Sequence, residues 1–249
     1  MTDTFYAIGD IHGDLVQLKQ IHARITEDIS RHAVENYKII HIGDLVDRRP
    51  DSKGVIDYLM AGIERGEPWI VLKGNHDRLF QWFFEDYNRK DANLRPDYDW
   101  LTPRMGGRDT LRSYFIEVAP EGPLDKEALL QEAKIAVPQA HLDFIKNLPL
   151  SFETDHFFFC HAGINLDRPL NEQSEDDLLW IRKNWLENPA PAEKMIIHGH
   201  TIVPEVSRYI NRINIDTGAA YGDVLSAVVV QGDQVLNLLE TGRAPIKYA

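Results

Sequence analysis

Near the N-terminus the chain reads Phe5-Tyr6-Ala7-Ile8-Gly9-Asp10-Ile11-His12-Gly13, an apolar run that ends at a glycine-flanked pair of polar residues. A short apolar run followed by glycine is typical of a buried strand that enters a tight turn. In α/β sheets, polar groups placed just beyond strand ends usually build the functional site. The stretch therefore predicts a strand that presents Asp10 and His12 at its carboxyl end.

The same arrangement recurs at four later places. The later apolar runs, each with the polar residues that follow it, are 39–42 with Asp44, 69–72 with Asn75 and His76, 157–160 with His161, and 195–197 with His198 and His200. Between the early runs, apolar residues recur at every third or fourth position over 15–29 and 55–63, which indicates amphipathic helices. An alternation of strand, helix and strand predicts a layered α/β fold.

Two segments depart from this alternation. From Arg208 onward, short apolar runs are separated by glycines, which indicates a closing antiparallel segment. Residues 88–138 show no strong period and contain Met105-Gly106-Gly107 and several prolines, so we interpret them as an irregular insertion near the site. Because 249 residues lie within the range of one α/β domain, we expect a single catalytic domain over 1–249.

The charge balance limits the partners of the chain. A formal net charge of -12 argues against general affinity for nucleic acid, because that affinity depends on basic residues that release counterions from the phosphate backbone. An acidic chain that binds an anionic phosphate group needs concentrated positive charge at one site, and bound metal cations would supply it. We therefore expect no nucleic-acid partner.

The chain contains one cysteine, Cys160, which excludes an internal disulfide and fits a reducing cytoplasm. Its aromatic neighbours indicate inert packing in a strand rather than a catalytic nucleophile.

No apolar run approaches the ~20 residues that span a bilayer, and the N-terminus lacks the pattern of a signal peptide. We expect a cytoplasmic protein without a membrane partner.

The polar residues that follow the strands suit two divalent cations. Such a pair needs hard or borderline ligands, one of which is a carboxylate that bridges the two metals. Asp10 and His12 suit the first metal and Asp44 the bridge, and the second metal would be completed by Asn75, His161 and His200. Because no cysteine joins the set, an open catalytic site is favoured over a closed structural zinc site. Manganese, iron and zinc all suit these ligands, and manganese is our first choice.

Five short motifs then stand in the order found in one family. They are Gly9-Asp10-Ile11-His12-Gly13, Gly43-Asp44-Leu45-Val46-Asp47-Arg48, Gly74-Asn75-His76-Asp77, His161-Ala162-Gly163 and Gly199-His200-Thr201. With these motifs the chain resembles the calcineurin-like metallophosphoesterases of the phosphoprotein phosphatase family, over roughly residues 5–222. Residues 216–222 look like the closing motif of bacterial members, including those similar to diadenosine tetraphosphatases. The resemblance implies a four-layer α-β-β-α sandwich of two mixed sheets.

The resemblance also implies a reaction. A hydroxide held between the two metals attacks phosphorus in line, without a covalent enzyme intermediate. His76 is similar to the family's general acid, which protonates the leaving oxygen. Asp47 is similar to the carboxylate that keeps this imidazole oriented and cationic.

Arg48 and Arg182 resemble arginines that grip phosphate oxygens, a task suited to the planar guanidinium. Asn75 and Tyr221 are expected in the same phosphate-binding set. One departure is Arg49, because the family usually has glycine after the Asp-Arg pair. Arg49 precedes a proline and is restricted to extended conformations, so either this turn differs or Arg49 contacts the substrate.

The first expectation for function is therefore metal-dependent hydrolysis of phosphomonoesters of the serine/threonine protein phosphatase type, with a phosphorylated protein, peptide or small metabolite as substrate. The alternative is a diadenosine tetraphosphate hydrolase, which cuts a phosphoanhydride with the same metals. A non-catalytic phosphate-binding module ranks lower, since no expected ligand is missing. A nuclease is disfavoured by the acidic charge and by Ile202, where many nucleases of this kind carry a second histidine.

Overall fold

The computed structural model describes residues 3–249, which form twelve strands and eight α-helices. The strands are β1 (Thr4–Ile8), β2 (Tyr37–His41), β3 (Trp69–Val71), β4 (Ser151–Glu153), β5 (Phe157–Cys160), β6 (Met195–His198), β7 (Ser207–Arg208), β8 (Arg212–Asn214), β9 (Ala227–Gln231), β10 (Gln234–Leu239), β11 (Gly242–Pro245) and β12 (Lys247–Tyr248). The helices are α1 (Leu15–His32), α2 (Ser52–Glu64), α3 (Asn75–Glu85), α4 (Gly107–Ser113), α5 (Lys126–Ala136), α6 (Gln139–Lys146), α7 (Glu175–Trp180) and α8 (Lys183–Leu186). Short 3-10 helices cover Leu170–Glu172 and Ala219–Tyr221.

The strands form two mixed six-stranded sheets. In the first, ordered β11-β10-β9-β1-β2-β3, the strands β1, β2 and β3 are parallel and β9 pairs antiparallel with β1. In the second, ordered β12-β7-β8-β6-β5-β4, the strands β5, β6 and β8 are parallel. Because parallel neighbours end at the same edge of a sheet, the loops after these strands lie together.

Side-chain alternation along the strands explains the layers. In β1, Tyr6 and Ile8 belong to the core shared with the helices over the first sheet, whereas Ala7 belongs to the core between the two sheets. In the second sheet, Ile197 enters the core between the sheets and Ile196 packs with Trp185 on the opposite face. The predicted four-layer sandwich of helices, two mixed sheets and helices is therefore confirmed.

The caps of α1 and α2 fix the loops that precede them. Asp14 accepts a hydrogen bond from the backbone N–H of Gln17 (3.0 Å), and Asp51 accepts one from Gly54 (2.9 Å). Such side-chain caps satisfy backbone donors that have no partner within the helix. Each cap lies only a few residues after the polar cluster of its loop, so the helix start and the functional loop are held as one unit.

Two predictions about the later chain need correction. Residues 88–138 are not wholly irregular, because α4 and α5 lie within them. Asp125 caps α5, and Leu129 and Leu130 bury one of its faces. The strands after Arg208 do not form one antiparallel segment either, because β8 joins the second sheet beside β6 while β9 and β10 join the first. Within residues 3–249, no helix has the length and apolar character needed to cross a bilayer.

A buried ionic cluster joins α1 to the edge of the first sheet. Asp28, in α1, accepts hydrogen bonds from the Tyr6 hydroxyl (2.7 Å) and from Arg243 Nη2 (2.7 Å). Burial alone would raise the pKa of the Asp28 carboxyl, but these donated hydrogen bonds outweigh burial and lower the pKa below its usual value. The ionised carboxylate is therefore the form that stabilises the fold.

Asp28→Asn should lower the free energy of unfolding at neutral pH by about 2 kcal/mol, because a buried guanidinium loses its charged acceptor. The folded pKa lies below the unfolded value of about 3.9, so this stabilisation is present above that value and is lost as the pH falls through the folded pKa. Urea unfolding of the variant and the parent across this pH range measures the difference. Glu27→Gln, at an exposed neighbour on α1, is the matched control. An equal deficit at neutral and acidic pH would contradict the assignment.

Candidate metal centre and active site

The loops after five strands bring the predicted site residues together. All six predicted metal ligands and the His76–Asp47 pair are at least 92% buried, and each of them lies within 3.4 Å of another member of the set. They are Asp10, His12, Asp44, Asp47, Asn75, His76, His161 and His200. Sequence motifs separated by up to 190 residues therefore meet at one end of the sandwich.

Asp44 lies at the centre of this cluster. Its Oδ2 is 3.2 Å from His12 Nε2, and its Oδ1 is 3.4 Å from His161 Nε2. Two groups of side chains have donor atoms close enough to hold one metal ion each, and both groups include Asp44. One is His12, Asp44 and His76, and the other is Asp44, His161 and His200. The arrangement is consistent with a dinuclear metal site bridged by one carboxylate.

Two histidines are held in the tautomer that binds metal. His12 Nδ1 lies 2.9 Å from the Val46 carbonyl oxygen, and His161 Nδ1 lies 3.1 Å from that of Ile42. A carbonyl only accepts hydrogen bonds, so each Nδ1 carries the proton and each Nε2 directs its lone pair at the cluster. Burial lowers the pKa of both rings, that of His12 to about 4, so both are neutral. Neutral imidazole is the form that ligates metals.

Asp10 lies outside both three-residue groups found among residues 3–249, although it belongs to the same cluster. Its carboxylate accepts a hydrogen bond from the backbone N–H of His200 (3.0 Å). Burial, followed by repulsion from Asp216 and Asp44, raises the pKa of Asp10 well above its usual value. Divalent cations bound beside Asp10 would remove this repulsion and favour its ionised form. The donor set therefore fits divalent cations, while nothing in it selects manganese over iron or zinc.

Asn75 gives a further sign of a cation site. Its Oδ1 is 2.8 Å from His161 Nε2. Because the proton of His161 is on Nδ1, Asn75 Oδ1 and His161 Nε2 are both acceptors. A cation beside these two atoms would interact with both lone pairs.

Both predicted phosphate-binding arginines lie at this cluster. Arg48 Nη1 and Nη2 donate to the Nε2 atoms of His12 (2.8 Å) and His76 (2.9 Å), and Arg182 Nε donates to His200 Nε2 (2.8 Å). Each guanidinium thus brings a fixed positive charge to one of the two metal-binding groups, where it suits phosphate oxygens.

The backbone of the site is held in uncommon conformations. Among residues 3–249, seven non-glycine residues have positive φ, and five of them belong to the site. These five are His12 (48°), Asp44 (50°), Asp47 (77°), Arg48 (71°) and His200 (65°). Such conformations persist only where surrounding contacts enforce them, and they are concentrated at functional sites.

The His76–Asp47 pair is supported by residues that the sequence did not reveal. His76 Nδ1 is 2.6 Å from Asp47 Oδ2, while the Asp47 carboxylate also accepts from Trp100 Nε1 (3.0 Å) and Thr110 Oγ1 (2.6 Å). Both donors come from the 88–138 segment. The one sequence signal was Gly106, where a Cβ atom would lie 2.3 Å from the backbone nitrogen of Arg48. Glycine at a close backbone approach marks this contact.

The protonation of this pair differs from the expectation. Burial, followed by repulsion from Arg48, lowers the pKa of His76 to about 3, and burial raises the pKa of Asp47 to about 7 despite its donated hydrogen bonds. A cationic His76 is therefore disfavoured in this arrangement. An anionic phosphate group beside Nε2 acts in the opposite direction and favours the protonated ring.

A further buried carboxylate, Asp91, connects two parts of the site and was not predicted. Asp91 Oδ2 accepts from Arg78 Nη2 (2.5 Å) and from Trp180 Nε1 (3.0 Å). Arg78 belongs to α3, which begins at the Asn75–His76 pair, and Trp180 lies two residues before Arg182. The Trp180 ring also meets the His200 ring edge-on, with 5.8 Å between centroids. Asp91 therefore positions the segment that carries Arg182.

A four-layer α/β sandwich whose two sheets meet at such a cluster defines a metallophosphoesterase, a hydrolase of phosphate esters. Residues 4–230 match the family of calcineurin-like phosphoesterases, and the chain belongs to this family.

Curated relatives match the chain in sequence, and solved structures match it in fold. The bis(5'-nucleosyl)-tetraphosphatase PrpE [asymmetrical] of Anoxybacillus flavithermus is 25% identical over 229 residues, which cover 89% of this chain and 88% of the relative. A crystal structure of a protein proposed to be a diadenosine tetraphosphatase aligns with a TM-score of 0.61 and 18% identity, over 97% and 94% of the two chains. A protein-tyrosine phosphatase of a psychrophilic Shewanella species aligns with a TM-score of 0.57 and 12% identity, over 98% and 80%. The two structural likenesses show the fold alone.

Asp91→Asn should lower kcat/KM by about 10- to 100-fold while bound metal is retained, because a small displacement of Arg182 weakens its grip on the phosphate. Steady-state rates on p-nitrophenyl phosphate, together with the metal content of the purified variant, measure this effect. Asp176→Asn is the matched control, since Asp176 also pairs with Arg78 (2.7 Å) but is exposed. A folded Asp91 variant with the parental kcat/KM would show that Asp91 does not position the site.

Proposed function

We propose that this chain hydrolyses dinucleoside tetraphosphates asymmetrically, releasing a nucleoside triphosphate and a nucleoside monophosphate. The proposal is based on the bis(5'-nucleosyl)-tetraphosphatase PrpE [asymmetrical] of Anoxybacillus flavithermus, which aligns over nearly the whole of both chains. The aligned part takes in most of the chain, not only the metal-binding motifs. The alternative drawn from the sequence thus has more support than the first expectation of a serine/threonine protein phosphatase.

The charges of the site are compatible with a polyphosphate. The chain carries a net charge of -12, yet Arg48 and Arg182 stand side by side with the buried histidines. A tetraphosphate chain offers several anionic oxygens along its length, and guanidinium groups on either side of the cluster can bind more than one phosphate. An acidic exterior with a local cationic site favours binding at that site alone.

The chain's own side chains would bind and orient the reacting phosphate. When bound by Asp10, His12, Asp44, Asn75, His161 and His200, two divalent cations would acidify water and neutralise charge on the phosphoryl oxygens. Arg48 and Arg182 would hold the non-reacting oxygens. His76 lies within reach of the first metal-binding group, but we assign it to proton transfer and not to the ligand set. It would release a proton from Nε2 to the leaving oxygen, while the contact between Nδ1 and Asp47 keeps the ring oriented.

An initial-rate comparison tests the substrate class. The manganese-loaded protein is given diadenosine tetraphosphate, a phosphoserine peptide and p-nitrophenyl phosphate, and the nucleotide products are separated by ion-exchange chromatography. We expect the highest kcat/KM on the dinucleotide, with AMP and ATP as products. Asp44→Asn, which lacks the shared ligand, should lose bound metal and all three activities.

Each alternative result has a definite meaning. A higher kcat/KM on the phosphopeptide would support the protein phosphatase hypothesis instead. Two molecules of ADP would refute the asymmetric cleavage while keeping the dinucleotide as substrate.

The need for a general acid should depend on the leaving group. A phosphate leaving group has a pKa of about 6, whereas a phenol has a pKa of about 10. The more basic phenolate therefore depends more strongly on protonation as it leaves. His76→Asn should therefore lower kcat on phenyl phosphate by about 100-fold or more, and lower kcat on diadenosine tetraphosphate much less. Equal losses on both substrates, with metal content unchanged, would show that His76 acts on bound phosphate rather than on the leaving oxygen.

A further inference from the structure

An exposed aromatic ring stands beside the buried metal centre. Tyr221 is 59% exposed, and the Arg48 guanidinium carbon lies 5.2 Å from the centroid of its ring. The same guanidinium donates to His12 and His76. Arg48 therefore lies between the Tyr221 ring and the two histidines that would surround the reacting phosphate, His12 and His76.

The position of Tyr221 is fixed by the backbone. The 3-10 turn Ala219–Tyr221 lies between Gly218 and Gly222, whose φ angles of 87° and 100° suit glycine. The N–H of Tyr221 donates to the Gly218 carbonyl (2.8 Å), and the N–H of Gly218 donates to the buried Asp216 carboxylate (3.0 Å). The ring is thus exposed on a constrained turn rather than on a free loop.

Further exposed apolar side chains lie around this turn. Of the ten large hydrophobic residues that are exposed among residues 3–249, Val224 follows this turn in the chain and Val16 precedes Gln17, whose side chain binds the turn. The Gln17 side chain binds the Asp223 carbonyl (2.9 Å) and the Leu225 N–H (2.7 Å), which ties the start of α1 to the turn. A Cβ atom on Gly218 would lie 3.4 Å from Ile202 Cγ2. Exposed apolar groups concentrated beside a polar site mark a binding surface.

We propose that Tyr221, on a turn flanked by Ile202, forms a subsite for the nucleobase of a nucleotide whose phosphate lies at Arg48. This inference rests on the proposed function and deepens it by naming the residues that recognise the nucleoside. A planar base stacks on an aromatic face whichever polar groups the base carries. Apolar neighbours shield the stack from water. A phosphoserine side chain has no group that would use such a surface.

The test compares two inhibitors that differ only in the base. Hydrolysis of p-nitrophenyl phosphate by the manganese-loaded protein is inhibited with AMP and with ribose 5-phosphate. In the parent protein, AMP should bind about 5- to 100-fold more tightly, as expected for one stacked base. In Tyr221→Leu this ratio should fall to about one, whereas Tyr221→Phe, which keeps the ring, should retain most of it.

Tyr248→Leu is the matched control, because Tyr248 is also exposed and also has an arginine, Arg208, over its ring. It should keep the parental ratio. Using a ratio removes any loss that both inhibitors share, including loss of a phosphate contact to Tyr221. Similar affinities for the two inhibitors in the parent, or an unchanged ratio in Tyr221→Leu, would overturn the subsite.

Rates on diadenosine tetraphosphate separate the two proposals. If the parent cleaves the dinucleotide but does not distinguish AMP from ribose 5-phosphate, the proposed function stands and the subsite is refuted. If the ratio behaves as expected but the dinucleotide is not cleaved, the base subsite stands and the tetraphosphatase function is refuted.

Discussion

The carboxylate of Asp44 is the contact on which the site depends. One oxygen faces His12, which follows β1 of the first sheet, and the other faces His161, which follows β5 of the second sheet. Asp10 makes a second connection of this kind through the backbone N–H of His200. The end of the sandwich is therefore joined by polar groups, where elsewhere the sheets are joined by apolar packing.

This construction links metal binding to stability. Carboxylates buried at the junction of two sheets repel each other, as the raised pKa of Asp10 reflects after the larger contribution of burial. Cations bound by the cluster would remove this repulsion and, by mass action, stabilise the folded state. His12 and His161, which would bind the cations, also donate hydrogen bonds to backbone carbonyls of the loop after β2, so occupation of the site would be coupled to the order of that loop.

Much of this arrangement could be predicted from the sequence because it is encoded locally. Strand runs that end in polar residues predicted the six residues that the structure brings into one cluster, and the spacing of apolar residues predicted α1 and α2. Trp100, Thr110 and Asp91 could not be found in this way. Thr110 meets Asp47 across 63 positions and Asp91 meets Trp180 across 89, and neither pair has a local pattern. The sequence likewise did not predict that β8 joins the second sheet while β9 and β10 join the first, because strand pairing depends on partners distant in sequence.

The substrate was the least predictable feature, and the fold explains why. A protein proposed to be a diadenosine tetraphosphatase and a protein-tyrosine phosphatase both share this sandwich with similar TM-scores, 0.61 and 0.57. The motifs determine how phosphorus is attacked, which is common to esters and anhydrides. What differs between the substrates is the group attached to the reacting phosphate, and with the phosphate held as proposed that group would extend past Arg48 and Arg182 to the surface. On the proposed function, selectivity would be set by the exposed walls of the site, where Tyr221 is held on its constrained turn.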